Sequence, residues 1–478
     1  MADGTRDDDL RVLTLNCWGL KYISKLRRER LSEIGRRIAS LPSPPHIVAL
    51  QECWTAADFA SVRASTSHVL PYAKFYHSGC FGGGLALLSA HPIESSTMHA
   101  YPLNGRPTAF WRGDWFVGKG AAHAVVRLRL PSGRAQVLEI FNTHTHAPYT
   151  EHLADDTYHV HRLAQSWHLA KLLRAATASR SHLVLALGDY NMKPLSLPHR
   201  ILTSRAPVVD TWRVLHPNSS LGAADDEAEK ARGVPAPTAR FNLVENGTTS
   251  DGSYNTWRWP ASEQKRLSNG EKIDVPPDRI DRKGKRLDYV FLGSPPPDSL
   301  GGGWVVKDAR VGMVEPHPTL HCSLSDHFAV EATLTYHTPQ QTQASKSSSR
   351  YLDDQLAAMP PKNPALSTAD YDEILSKTRW YVRREEKQKF WRGLHFFAWI
   401  GVLIACLVGV WFSPHNYVAF ILMLLSSFGL VAGVVDGLLS LLFFKSELRA
   451  LKEFEWEVTN AKALARRGSV ETDAKANH

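Results

Sequence analysis

Two long apolar runs, 394–412 and 417–444, lie near the end of this 478-residue chain. About 20 helical residues cross the roughly 30 Å hydrocarbon core of a bilayer, so each run is long enough to span. Only Ser413, Pro414, His415 and Asn416 separate them, which predicts a tight helical hairpin with both ends in one compartment. Arg383, Arg384, Lys387, Lys389 and Arg392 precede the first run, and Lys445, Arg449 and Lys452 follow the second. The positive-inside rule then places both flanks, and with them the large N-terminal region, in the cytosol. Asp436 is the only formal charge within either run. Because the second run is over-long, Asp436 is expected at the cytosolic interface rather than at bilayer depth.

Targeting is expected to reside in this hairpin, since the opening MADGTRDDD is acidic and carries no apolar stretch. Cys17, Cys53, Cys80, Cys322 and Cys406 are scattered without CxxC pairing. That usage fits a reducing compartment and argues against a disulfide framework or a zinc site. The net charge of +9 suits either nucleic acid or anionic lipid headgroups. A membrane hairpin and the lack of any concentrated basic stripe argue against nucleic acid.

Residues 10–336 alternate short β-rich runs with Gly, Pro, Asn and Asp punctuation, a length that suits one large α/β or α+β domain. Apolar patterning predicts strands at 11–15, 47–51, 84–88, 124–130, 136–143, 183–187, 287–292 and 328–334, with helices at 26–41 and 159–176. Consecutive strands favour sheets packed on each other with outer helices over a doubly wound arrangement. The polar stretch 218–252 reads as a surface insertion. Residues 337–393 read as a linker, containing QQTQASKSSS, followed by a juxtamembrane helix, and 445–478 as a cytosolic tail.

Polar side chains recur where the apolar strands stop: Asn16, Glu52 after Gln51, His144, Asp189 with Asn191, Asp288, and Asp326 with His327. One such residue is ordinarily a turn former. The whole set supplies oxygen ligands for a hard cation and at least one general base.

These residues resemble the endonuclease/exonuclease/phosphatase superfamily with the DNase I-like fold, through LNCWG, QE, NTHTHA, GDYN, RLDYVF and SDHFAV in that order across most of 10–335. Within it, NCWG, QECW and THTHAPY look most like the neutral sphingomyelinases and the fungal inositol phosphosphingolipid phospholipases C, whose layout also includes a C-terminal pair of spans. The resemblance implies an α/β four-layer sandwich for 1–336, two transmembrane helices over 394–444, and Mg²⁺-dependent cleavage of a sphingolipid phosphodiester. Glu52 is the expected metal ligand, helped by Asn16 and by Asp326. His327 is the general base, its ring oriented by Asp288, although the roles of Asp288 and Asp326 are exchangeable at this level. Asp189 and Asn191 position water and phosphate, His144 contacts phosphate or donates in the transition state, and His146 is a weaker substrate contact. Similar fungal enzymes imply the endoplasmic reticulum or mitochondrial outer membrane. The basic flanks of the spans suggest activation by anionic phospholipid. A nuclease, an inositol-phosphate phosphatase or an inactive membrane scaffold on the same fold are the alternatives. Headgroup and oligomeric state are not specified.

The segment 113–120, GDWFVGKG, matches most of a nucleotide-binding loop, but Gly120 stands where the Mg²⁺-holding hydroxyl belongs and AAHAVVRLRL reads as strand, not helix. ATP or GTP binding is rejected. The resemblance instead assigns Asp114 and Lys119 to substrate phosphate or to ordering of the loop.

Overall fold

A computed structural model describes residues 8–130, 132–133, 135–149, 156–179, 181–298, 301–339, 347–358 and 364–476. The linker stretch QQTQASKSSS thus lies largely outside the described residues, as does most of the acidic opening. The chain divides into two compact units: 1–101, 116–148 and 165–365 form the first, and 102–115, 149–164 and 366–478 form the second.

The first unit is an α/β sandwich of two mixed six-stranded sheets. Its strands are β1 (Asp9–Asn16), β2 (Ile47–Gln51), β3 (Tyr72–Phe75), β4 (Ala86–Ser89), β5 (Ile93–Ala100), β6 (Gly120–Arg129), β7 (Ala135–His144), β8 (His182–Asp189), β9 (Val209–Asp210), β10 (Asp288–Gly293), β11 (Gly303–Gly312) and β12 (Ala329–His337). One sheet runs β11-β12-β1-β2-β4-β3 and the other β5-β6-β7-β8-β10-β9. Parallel pairs occur at β1 with β2 and at β7 with β8.

Strand side chains alternate between faces, and where both faces are covered the strands are apolar almost throughout, as in β2, β4 and β8. On β8, Leu183, Leu185 and Leu187 enter the core between the sheets, where they join Val12, Ala49, Leu87, Ile140 and Val290. Val184 and Ala186 point the other way, onto Leu169 and Leu173 of helix His159–Thr177 and Leu202 of helix Leu197–Arg205. Leu13 and Leu15 of β1 likewise meet Leu31, Ile34 and Ile38 of helix Arg27–Ser40 and Val62 of helix Ala56–Thr66. Each large apolar side chain so buried stabilises by about 1.5–3 kcal/mol before conformational entropy is counted. The expected surface insertion is corrected at several points along its length: Ser219, Ser220, Ala239, Asn242, Asn246, Thr248, Thr249 and Ser250 are buried. Ser250 bridges to Lys285 and to His327, so backbone hydrogen bonding draws this stretch inward.

In the second unit, helix Thr368–Trp411 starts at a capping box in which the Ser367 hydroxyl accepts from the Asp370 N–H and the Asp370 carboxylate accepts from the Ser367 N–H. It is followed by helix Asn416–Leu438, a π-helical turn Leu439–Phe443 and helix Phe444–Ala476. Two helices here are long and apolar enough to cross a membrane. They pack antiparallel through small residues, with Trp399 against Gly429 and Gly433 and Phe396 against Gly437. Asp436 pairs with Arg392 and, at 2.8 Å, with His395 Nδ1.

A second polar cluster is buried in this unit. Glu447 Oε1 accepts from the Tyr381 hydroxyl at 2.9 Å and lies 3.2 Å from His161 Nε2, with Glu385 alongside and Arg384 paired to Glu385. Burial pushes the Glu447 carboxyl up to about 8; burial and then Glu447 push Glu385 up to about 7. Burial lowers His161 to about 4. The His161–Glu447 contact therefore joins a neutral imidazole to a protonated carboxyl rather than two ions.

Candidate active site

Strand register assembles the site in the first unit. Asp189 of β8 stands between His144 of β7 and Asp288 of β10, directly paired with each. In the other sheet Asn16 of β1 pairs with Gln51 of β2, which puts Glu52 one residue beyond the strand end. Two glycines make this geometry possible. A Cβ on Gly19 would meet the Glu52 carbonyl oxygen at 2.2 Å, and one on Gly188, whose φ is +147°, would meet the Thr143 carbonyl oxygen at 1.9 Å.

Asn16 ties the two sheets. Its amide donates to Glu52 Oε1 at 3.2 Å and to Asp189 Oδ2 at 3.0 Å, while its oxygen accepts from the Trp18 N–H. It therefore presents its NH₂, rather than the oxygen expected of a metal ligand, to the two carboxylates. Gln51 makes a parallel bridge, donating to Asn142 Oδ1 at 2.7 Å.

His327 Nδ1 lies 2.8 Å from Asp288 Oδ2, and its Nε2 lies 4.0 Å from Asp189 Oδ2. Burial acts to depress the His327 imidazole, yet Asp288 and Asp189 hold it well above its ordinary range. His144 Nε2 is 3.6 Å from the same Asp189 oxygen. Burial, with Lys119 and His327 nearby, keeps His144 well below its ordinary range, as a neutral ring. Asn191, at φ +44°, donates its backbone N–H to Asp189 Oδ1 at 2.9 Å and its amide to the Thr145 carbonyl. Lys119 Nζ donates to the same carbonyl at 3.2 Å.

The remaining expected residues are placed differently. His146 is fully buried, its Nδ1 2.9 Å from the Ala147 carbonyl and its N–H donating to Gln165. Asp326 is partly exposed, with Arg258 at 3.6 Å. Asp114 is buried in the second unit, in the one-turn helix Asp114–Val117, and the strand that follows, β6, matches the expectation against a nucleotide-binding loop.

Asp189, Asp288 and His327 offer ligand atoms within 4.8 Å of one another, a candidate divalent-cation site. With His327 Nδ1 engaged by Asp288, the harder oxygens are the better ligands for a cation such as Mg²⁺. Glu52 fits that part: its Oε2 is buried and has no hydrogen-bond partner among the described residues. Burial and the nearby Asp326 push the Glu52 carboxyl up to about 7, and burial raises Asp189 to about 6. A bound cation would favour the charged form of both.

Several contributors carry no strand-end signal. Arg30, fully buried on helix Arg27–Ser40, donates to the carbonyls of Cys17, Trp18 and Leu324 and so binds the two loops that carry Asn16 and Asp326. Thr249 Oγ1 accepts from the Leu287 N–H, and Asn255 donates to the Ser325 carbonyl. Arg258 reaches Asp251 at 2.6 Å, and Lys285 reaches it at 2.9 Å.

Comparison with known proteins agrees with this geometry. Residues 13–415 match the Endonuclease/Exonuclease/phosphatase family. The chain is 37% identical over 465 residues to an inositol phosphosphingolipids phospholipase C of Schizosaccharomyces pombe, covering 96% of this chain and 95% of that protein. It is 35% identical to the protein of the same name from Saccharomyces cerevisiae, covering 96% and 92%. Human sphingomyelin phosphodiesterase 2 is 39% identical over 188 residues, covering 39% and 42%. With the strand-end carboxylates, amides and histidines gathered by register and a match spanning both units, the chain belongs to the endonuclease/exonuclease/phosphatase family, a hydrolase superfamily, and is homologous to its phosphosphingolipid phospholipase C and sphingomyelinase branch.

Proposed function

We propose that this protein is a membrane-anchored, Mg²⁺-dependent phospholipase C that hydrolyses phosphosphingolipids, of the inositol phosphorylceramide type or sphingomyelin, to ceramide and a phosphorylated headgroup. The observation that carries the reading is the buried row His144, Asp189, Asp288 and His327 facing Glu52 across the sandwich.

Asp288 orients the His327 ring through Nδ1 and leaves Nε2 to take a proton from the attacking water. The water oxygen forms a new bond to phosphorus, the bond from phosphorus to the ceramide oxygen breaks, and a proton returns to that oxygen. Neutral His144 is suited to donate a hydrogen bond to a phosphate oxygen. Asp189, fixed by Asn16 and the Asn191 N–H, orients the water. Lys119, in the first unit beside His144, offers positive charge to the substrate phosphate. Glu52 would hold the cation through its buried oxygen, unpartnered among the described residues, with Asn16 fixing the other carboxylate oxygen through its NH₂, and bound Mg²⁺ would supply charge that offsets the negative charge growing on phosphate.

The two apolar helices and their flanking Arg and Lys residues support a membrane anchor with the head and both termini cytosolic. The same basic flanks support activation by anionic phospholipid. The decisive test is Mg²⁺-dependent ceramide release from inositol phosphorylceramide and from sphingomyelin in mixed micelles. Release is expected from wild type and lost in His327→Ala and Glu52→Ala. Hydrolysis of DNA or soluble inositol phosphates with no ceramide release would overturn the reading.

A further inference from the structure

The turn that follows β1 does more than close the metal side of the site. After Trp18 the chain makes a compact knuckle over residues 20–28. The Ile23 and Ser24 N–H groups and the Ser24 hydroxyl all donate to the Leu20 carbonyl, at 3.2, 3.0 and 2.7 Å. Leu26 holds a left-handed φ of +50°. Beneath it, Arg30 donates to the Lys25 carbonyl at 2.9 Å as well as to Cys17, Trp18 and Leu324, with its guanidinium 4.7 Å from the Trp18 ring centroid. One buried cation thus locks the knuckle to the loops that carry Asn16 and Asp326.

What this locked knuckle displays is apolar. Tyr22 is 88% exposed, Ile23 70% and Leu26 43%. A mobile loop could fold such side chains back; this one is pinned with them outward. Around them Lys21, Lys25 and Arg28 are exposed, and the Lys21 ammonium lies 5.1 Å from the Tyr22 ring centroid. Arg27 is paired with Asp58 and does not count, and Glu29 lies in the first turn of the helix. A groove of about 630 Å³, lined by Leu26, Trp257, Leu267 and Leu320 together with Lys25, opens beside it. An aromatic and aliphatic tip ringed by cations complements the interfacial zone of an anionic bilayer, where rings sit at headgroup level and lysines reach phosphate.

We propose that residues 20–28 form a membrane-docking knuckle of the catalytic head, with Tyr22 and Ile23 seated in the lipid interface and Lys21, Lys25 and Arg28 on anionic headgroups. This deepens the phosphosphingolipid reading, because a scissile phosphate at a bilayer surface is reached when the strand ends face that surface.

The test uses the full chain in vesicles, with Cys80, the exposed cysteine, replaced by Ser. An environment-sensitive fluorophore is placed at Ile23→Cys and, as control, at Ser95→Cys on β5. Blue-shifted emission at position 23, quenched by acyl-brominated lipid and strengthened when phosphatidylserine is added to phosphatidylcholine, is expected. Emission at 23 matching that at 95 would overturn the proposal. Tyr22→Ser with Ile23→Ser should raise the apparent KM for vesicle-borne substrate severalfold more than for the same lipid in detergent micelles. Equal losses on both would assign the knuckle a structural part only and overturn it too. The fluorescence arm needs no turnover, so docking by a chain that releases no ceramide would sink the lipase reading while leaving the knuckle standing.

Discussion

Two of the buried groups of acids and histidines among the described residues, one in each unit, shift their histidines in opposite directions. In the first unit, Asp189 and Asp288 flank a histidine whose affinity for a proton they raise, and Glu52 keeps an oxygen with no hydrogen-bond partner among the described residues. In the second unit, Glu385 and Glu447 flank a histidine that stays neutral, and both carboxyls retain protons towards neutral pH. The residue types are the same. The difference lies in what surrounds them. Strand ends bring Asp189 and Asp288 to one point, where together they outweigh the burial that would lower His327; helix faces bring two acids and a phenol together, and there burial prevails at His161. The first arrangement suits chemistry and the second suits a joint.

The largest expected effect tests the first half of that contrast. His327→Ala should lower kcat by about 10³-fold or more, and Glu52→Ala comparably, with Mg²⁺ binding by calorimetry lost only in the latter. Retained turnover in either would remove the site from the chemistry. Asp288→Asn keeps the shape but weakens the hold on the His327 ring, so a loss of about 10²-fold in kcat with little change in KM is expected from steady-state kinetics. The second cluster should answer to pH instead. Because the folded-state Glu447 carboxyl titrates at about 8, above its ordinary 4.5, the folded protein holds a proton that the unfolded chain has released. Stability present below the ordinary value is therefore lost as pH rises towards 8. Glu447→Gln should flatten this dependence and gain of the order of 2 kcal/mol at about pH 8, read as thermal unfolding compared at about pH 5 and about pH 8. An unchanged slope would mean that the cluster does not store the proton. His146→Gln should be mildest, changing kcat by less than about tenfold, since that ring is engaged by its own loop; a larger loss confined to kcat would restore it to the substrate.

Much of the first cluster was legible in the sequence because a strand end is a position that apolar patterning marks. β1, β2, β7 and β8 are apolar runs that stop at Asn16, Gln51, His144 and Asp189, while Asp288 begins β10 and His327 precedes β12, and register does the rest. β5 left no such mark, since IESSTMHA is an exposed edge strand of mostly polar residues. β11 was hidden by a bulge between Val306 and Asp308 that breaks its alternation. Arg30, Thr249 and Asn255 act through helix faces and loops, whose partners lie far away in sequence. The second cluster was wholly illegible: Glu385 and Glu447 sit in charged helical stretches that read as solvated faces, and only tertiary packing strips their water.

The second unit is stitched from 102–115, 149–164 and 366–478. His161 therefore meets a carboxyl made 286 residues later. At ribosomal speeds that is a wait of about 15–60 s, during which the earlier stretches have no partner helices. On the proposed anchored reading, those helices are also the ones that enter the bilayer. Completion of the unit then coincides with arrival at the membrane, so a nascent head detached from its lipid would be unfinished as well as misplaced, and open to the cell's quality control before it could act elsewhere.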